Sequence, residues 1–397
     1  MSKIKKIRQS RRFMRFQRLL RRLKPAARQV ASRRNRLDLL ADGKIFFRTL
    51  MTAVKNAETS ILLEYYMFRD DRTGSALAAE LAEAVKRGVK VFLIYDYIGS
   101  VDTPSSFFKK MVLDGIKVIP FNVPSFRRGI RWFDRRDHRK MAIVDAKAAY
   151  LGGFNIGDEY AGIAPRPNIF RDIGFCVSGS AVAELITIFC ETWQMERACA
   201  PDLPVHFGVL PLKQGKADVI IVSGGPHQRS SYIRGAFLVN IASASEELLI
   251  ANPYFVPGPR IIRALLRAAA RGVRVKLLLP ARSDVRLVLL VGRSSYAALL
   301  GGGVEIYELE EEILHAKVML VDGDRAVIGS ANLDQRSFHR NFEINCVVDD
   351  RSFSRQMRRV LGQEFNNARQ IKLEEHERRG PVTRLLERVI NLFSWFL

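Results

Sequence analysis

HRKMAIVDAKAAYLGGFN at residues 138–155 returns as HAKVMLVDGDRAVIGSAN at residues 315–332. Both follow the pattern His-x-Lys-x4-Asp-x6-Gly-x2-Asn: His138, Lys140, Asp145, Gly152 and Asn155 in the first copy, His315, Lys317, Asp322, Gly329 and Asn332 in the second. If each residue type fills about one position in twenty, five fixed positions coincide by chance roughly once in a few million windows. Two copies with identical spacing therefore mark a duplicated unit.

In each copy a four-residue apolar run, MAIV at 141–144 or VMLV at 318–321, separates Lys from Asp. Such runs, followed by turn residues, read as short buried strands. Side chains alternate along a strand, so His138 shares a face with Lys140, and His315 with Lys317. Asp145 and Asp322 complete the motif and count with its catalytic set. They stand seven positions after their histidines, at opposite parity, which predicts that they anchor the motif rather than touch substrate. The six-residue spacers AKAAYL and GDRAVI read as a turn and a second strand. Gly152-Gly153 and Gly329-Ser330 then allow close backbone approach, and Asn155 and Asn332 bring amide donors just beyond.

Two such sets facing each other give two imidazoles and four donors around one point. That suits a phosphodiester, with Lys and Asn donors on the non-bridging oxygens and neither metal nor cofactor expected. Donors fixed in a dry site are worth about 3–4 kcal/mol each. One imidazole can attack phosphorus while the other protonates the departing alkoxide, leaving a covalent phosphohistidine. A nucleophilic imidazole also needs an acceptor on its second nitrogen. Asp172 in IFRDIGF, 34 residues after His138, and Glu343 in NFEIN, 28 after His315, follow the two motifs. Each sits in an apolar stretch where an unpaired carboxylate would be costly.

The paired motif resembles the phospholipase D superfamily, in which two half-domains each contribute a His-Lys-Asp set to one active site. Within it the chain is most similar to bacterial cardiolipin synthases of the short type without transmembrane helices. The resemblance rests on residues 137–160, 171–193 and 315–345, with ILLEYYMFRDDRTG at 61–74 and NPYFVPG at 252–258, and covers roughly residues 37 to 370. It implies that His138 is the nucleophile and His315 the acid/base. It also implies that Lys140, Lys317, Asn155 and Asn332 bind phosphate, and that Asp172 and Glu343 orient the imidazoles. Gly153 stands where many superfamily members have Ser, whereas the second copy has Ser330. The implied activity is a phosphatidyltransferase joining two phosphatidylglycerols into cardiolipin and glycerol. The alternatives are a phospholipase D hydrolase, a transferase to another alcohol or, from a different substrate class, a nuclease.

The duplication extends past the motif. AELAEAVKRGVKVFLIYD at 79–96 parallels RALLRAAARGVRVKLLLP at 263–280, each an amphipathic helix, a Gly turn and a buried strand. Helices alternating with strands predict an α/β fold. The expected architecture is two homologous half-domains, each a mixed or mostly parallel sheet flanked by helices, packed pseudo-symmetrically around one site. The expected boundaries are a basic amphipathic arm at 1–36, half-domains at 37–200 and 217–370, a linker at 201–216, and an amphipathic helix at 371–397.

Net charge is +23, but residues 1–36 hold 15 Lys/Arg and no acid, leaving 49 basic and 41 acidic residues elsewhere. The basic character is thus a discrete element. Phe13, Phe16, Leu20 and Leu23 recur at helical spacing among its arginines, a pattern suited to an anionic membrane surface. Val382, Leu385, Leu386, Val389, Ile390, Phe393, Phe396 and Leu397 form an apolar stripe at the other end. No run approaches the roughly 18–20 apolar residues needed to span a bilayer, and no secretory signal is credible. The expected location is peripheral, on the cytoplasmic side of the cell membrane. The expected partners are anionic phospholipid and the membrane surface, without nucleic acid. Oligomeric state leaves no mark in the sequence.

Arg127, Arg128, Arg131, Arg135 and Arg136, interleaved with Phe126, Trp132 and Phe133, precede the first motif, while Glu308, Glu310, Glu311 and Glu312 precede the second. The basic loop reads either as solvated or as drawing anionic headgroups toward His138. His206, His227 and His376 read as surface or linker residues, and His339 as dispensable. The four cysteines, Cys176, Cys190, Cys199 and Cys346, lack CxxC spacing and suit a reducing compartment.

Overall fold

The computed structural model describes residues 31–124, 134–165, 168–197, 199–203, 215–226 and 231–380. The arm up to residue 30, the basic loop 125–133, His206, His227 and the chain from 381 onward lie outside the described residues.

Each motif folds as a hairpin. Lys140–Val144 pairs antiparallel with Ala148–Gly152, and Val318–Val321 with Arg325–Gly329. The turns carry Asp145 at φ 53°, Ala146 at 52° and Asp322 at 50°, a left-handed conformation that Asp tolerates better than most residues. The hairpins are inner strands of one fifteen-stranded sheet. Its order is Lys117–Phe121, Lys90–Asp96, Ser60–Tyr65, Lys140–Val144, Ala148–Gly152, Gly174–Ser178, Ala31–Leu40, Ala217–Gly224, Glu343–Asp349, Arg325–Gly329, Val318–Val321, Glu247–Ala251, Arg274–Pro280, Glu305–Leu309 and Arg369–Ile371.

Read outward from its centre, the sheet repeats itself, with Arg369–Ile371 added at one edge. Only the outer three strands of each repeat are parallel, joined through crossover helices. The sheet is therefore mixed and mainly antiparallel. Each half was expected to have its own sheet; instead Ala31–Leu40 welds them into one. Its residues 36–40 pair with 174–178, and Ala31, Ser32 and Asn35 pair with Ile220, Val219 and Ala217. Residues 31–36, expected to belong to the basic arm, are thus part of a central strand.

Alternation along the strands divides the core. Ile61, Leu63, Ala142 and Val144 pack under the helices Gly43–Lys55 and Arg72–Lys86, and the matching face of the second half packs under Tyr232–Ser243 and Gly258–Ala270. On the opposite face, Leu62, Met141, Ile143, Leu249 and Leu320 share one core with the helices Ala181–Arg197 and Arg351–Asn366. That face is common to both halves.

Candidate active site

Two backbone crossings bring the motifs together. Ile313–Leu314 pairs in parallel with Phe170–Arg171, and the amides of His315 and Ala316 both donate to the Arg171 carbonyl. On the pseudo-symmetric side Asp137 bridges Phe342, the His138 amide donates to the Phe342 carbonyl and the Phe342 amide to that of Arg136. The residue after Arg171 is Asp172, and the residue after Phe342 is Glu343. Each histidine therefore meets the other half's carboxylate.

The contacts are short and buried. His138 Nδ1 lies 3.0 and 3.1 Å from the two Glu343 oxygens, and His315 Nδ1 lies 2.6 Å from Asp172 Oδ2. The carboxylates follow the motifs as the sequence indicated, but pair crosswise between halves. Sequence order alone carries no signal of that exchange. With Nδ1 engaged, each imidazole keeps Nε2 for chemistry.

The lysines accompany them. Lys140 Nζ donates to the His138 carbonyl at 2.8 Å and sits 5.2 Å from the Tyr66 ring centroid. Lys317 Nζ donates to the His315 carbonyl and lies 4.0 Å from Asp172. The asparagines differ. Asn155 Nδ2 donates to the Tyr160 hydroxyl and its Oδ1 accepts from the Met67 amide, whereas Asn332 Oδ1 is buried with no partner among the described residues. Asp145 accepts from the amides of Glu58, Thr59 and Ser60, and Asp322 from those of Ser245, Glu246 and Glu247. From the turn after its own hairpin strand, each aspartate thus clamps the backbone that leads into the neighbouring strand, Ser60–Tyr65 or Glu247–Ala251.

The two halves differ in how they hold the carboxylate. Glu343 accepts from His138, from Ser330 Oγ at 2.5 Å, from Ser337 Oγ at 2.7 Å and from Asn341 Nδ2 at 3.3 Å. Burial works to raise its pKa, but the interaction with His138 and these donors carry it below the usual value. Asp172 accepts from the Ile173 amide at 2.7 Å as well as from His315, and burial pushes it up to about 7 against the pull of Lys317. A Cβ on Gly153 would overlap the Asp172 carboxylate. The shorter acid thus stands where the second half places Ser330, which explains Gly-Gly in the first copy.

Burial lowers His138 to about 4, opposed by Glu343, and drives His315 well below its usual range, reinforced by Lys317. Burial also lowers Lys140 to about 7 and Lys317 to about 8. An ammonium desolvated to this degree is poised to gain from an entering anion.

Several partners gave no usable sequence signal. The Tyr66 ring packs edge-on to His138 at 5.1 Å, and Tyr160 and Phe170 pack against His315. Arg139 reaches Glu64, Thr192 and, across the seam, Ser223. Arg136, read as part of a loop either solvated or drawing anionic headgroups, is instead buried against Asp96. Glu308, read as part of an acidic loop, is buried against Arg293 and Tyr296. His376, expected at the surface, is buried beside the Tyr296 ring.

Comparison with known proteins covers the same two blocks. A family described as cardiolipin synthase, PLD-like domain, matches residues 50–189 and 237–365. Cardiolipin synthase of Geobacillus kaustophilus is 35% identical over 362 residues, 90% of this chain and 71% of that protein. Cardiolipin synthase A of Pseudomonas putida KT2440 is 35% identical over 387 residues, 94% of this chain and 77% of that protein. Among solved structures, phosphatidylserine synthase of Haemophilus influenzae has a TM-score of 0.72 at 13% identity, over 96% of this chain and 99% of that one. Polyphosphate kinase of Porphyromonas gingivalis has a TM-score of 0.57 at 14% identity, over 90% of this chain and 53% of its own. At these identities the two structures speak for the fold alone.

Proposed function

The chain belongs to the cardiolipin synthase family of phospholipase D-like phosphatidyltransferases, and from that premise we propose that it condenses two phosphatidylglycerols into cardiolipin and glycerol through His138 and His315. The observation that carries this reading is the crossed pairing of the two imidazoles with Glu343 and Asp172. It commits both Nδ1 atoms and leaves two Nε2 atoms at one seam.

The carboxylates divide the labour. Glu343, held ionised by its donors, keeps His138 as a neutral base with an oriented proton on Nδ1. The His315–Asp172 pair retains an extra proton near neutral pH because burial raises Asp172. His138 Nε2 attacks phosphorus, the bond from phosphorus to the headgroup glycerol breaks, and His315 gives that glycerol its proton. A hydroxyl of a second phosphatidylglycerol then yields its proton to His315 and attacks phosphorus, breaking the phosphorus–nitrogen bond. Lys140, Lys317 and Asn332 hold the non-bridging oxygens, and Asn155 positions Tyr160 against His315. Transfer outruns hydrolysis when the intermediate is shielded from water, and both histidines lie in a buried setting.

Among the described residues no helix is long and apolar enough to cross a membrane. We place the enzyme on the cytoplasmic membrane surface, with residues 1–30 and 381–397 as the lipid-contacting ends. The test offers purified protein labelled phosphatidylglycerol vesicles, free alcohols and DNA, with chelator present. Cardiolipin should form, and should be lost in both His138→Ala and His315→Ala. DNA cleavage without lipid turnover would replace this reading with a nuclease.

A further inference from the structure

Resting on the reading above, we infer that Asp284 and Tyr254 form a headgroup subsite beside His315 that binds the paired hydroxyls of a glycerol-bearing alcohol and selects polyols over simple alcohols. The pseudo-symmetry makes the point visible, because the halves agree at the reacting centre and differ here. The registers Ile61↔Val144 and Leu248↔Val321 place Tyr254 at the position that Met67 holds in the first half. The strands Lys90–Asp96 and Arg274–Pro280 correspond likewise.

After Asp96 the first-half turn closes on itself: Asp96 accepts from the Ile98 and Gly99 amides, and Ser100 Oγ accepts from the Phe68 amide. In the second half Pro280 stands where Asp96 would be, so that closure is lost and Asp284 is exposed. Both its oxygens accept from the Tyr254 hydroxyl, at 2.8 and 2.7 Å. Tyr254 is fixed in turn against Val256, Val288 and Val291. Its neighbours Phe255 and Val256 hydrogen-bond to the segment just after Asn332, which sets the pair at the mouth of the site. The Asp284 charge is felt by His315 and Lys317, and by Tyr66 of the first half.

A carboxylate at the entrance to a phosphodiester site repels the substrate's own charge. Among the described residues Asp284 has no ion-pair partner that would cancel it. A neutral ligand rich in hydroxyls turns that cost into binding. Oδ1 also accepts from Ser283 Oγ and the Val285 amide, whereas Oδ2 shares only the Tyr254 hydrogen. Oδ2 thus keeps a lone pair for one ligand hydroxyl, and the Tyr254 oxygen can accept from a second. With His138 as nucleophile, the departing and entering alcohols lie on the His315 side, where Asp284 stands.

The experiment supplies phosphatidylglycerol vesicles with an equimolar mixture of labelled glycerol and 1-propanol and reads the ratio of the two phosphatidyl products. The ratio is internal to each variant, so a general loss of rate cancels. Asp284→Asn should lower the glycerol-to-propanol ratio by about tenfold to a hundredfold, the effect of one charge-assisted hydrogen bond, and Tyr254→Phe should lower it less. A ratio within twofold of the parent in Asp284→Asn overturns the inference, even if both rates fall. A parent protein that makes no phosphatidyl product from any alcohol instead overturns the functional reading on which the subsite rests.

Discussion

His138 and His315 sit at equivalent positions of a duplicated motif, yet their surroundings separate them. Glu343 gathers four side-chain donors and Asp172 lies against the Gly153 backbone, so one carboxylate stays charged and the other rises to about 7. Coupling should therefore run across the halves. In double-mutant cycles on unfolding free energy, His138→Ala with Glu343→Gln, and His315→Ala with Asp172→Asn, should each deviate from additivity by about 1–3 kcal/mol. The same-half combinations should deviate less, and a larger same-half coupling would contradict the crossed geometry. The pH dependence has a defined sign. His138 must be neutral to attack, so kcat/KM should fall as pH drops through about 4. Lys140 must be charged to hold phosphate, so it should fall again as pH rises through about 7, with Lys317 following near 8. A flat profile from pH 5 to 9 would remove the lysines from that role. Stability follows the same group. Because folding lowers His138 from 6.5 to about 4, its contribution is complete above pH 6.5 and is lost as pH falls through about 4. That loss is about 3 kcal/mol at 1.36 kcal/mol per unit. His138→Gln should shrink the acid-side drop in urea midpoint accordingly.

The hairpins show what periodicity can and cannot read. Spacing alone gave the strands, the shared face of His and Lys, and the opposite orientation of Asp145 and Asp322, because side-chain alternation is a local property. It could not give the partners of those aspartates, 85 to 87 residues away for Asp145, nor the seating of Ile313–Leu314 on Phe170–Arg171. Those pairings depend on which strand edges remain free once the sheet has formed. The anchoring role has a measurable consequence. Asp145 is held below the usual carboxylate range by the three amides and the Thr59 hydroxyl, against the effect of burial. Asp145→Ala leaves those amides without their acceptor, and should cost about 2–4 kcal/mol of stability. Asp322→Ala should do the same to its own turn. In both, kcat of the folded fraction should stay within about threefold of the parent. A loss of a hundredfold or more at unchanged stability would return these residues to the reacting centre.

At the scale of the molecule, the duplication was legible but the continuity was not. Two homologous halves could equally have folded as separate sheets, and the basic residues at 33, 34 and 36 made the joining strand look like part of a solvated arm. Ala31–Leu40 is central because residues 36–40 complete one half while Ala31, Ser32 and Asn35 pair with the other. The core on the shared face then draws Leu185 and Trp193 from the first half and Phe353 and Leu361 from the second. A common core of this kind makes the halves one cooperative unit, despite a length at which chains commonly divide. Leu361 is fully buried in that core, so Leu361→Ala should cost about 2–5 kcal/mol. The loss should spread across the seam. Amide exchange by global opening should accelerate in the first-half strand Ser60–Tyr65 as much as in its second-half equivalent, Glu247–Ala251. Acceleration confined to the second half would mean that the halves open independently. Each opened half would then expose a histidine without its carboxylate, so the catalytic arrangement would persist only while both halves remained closed.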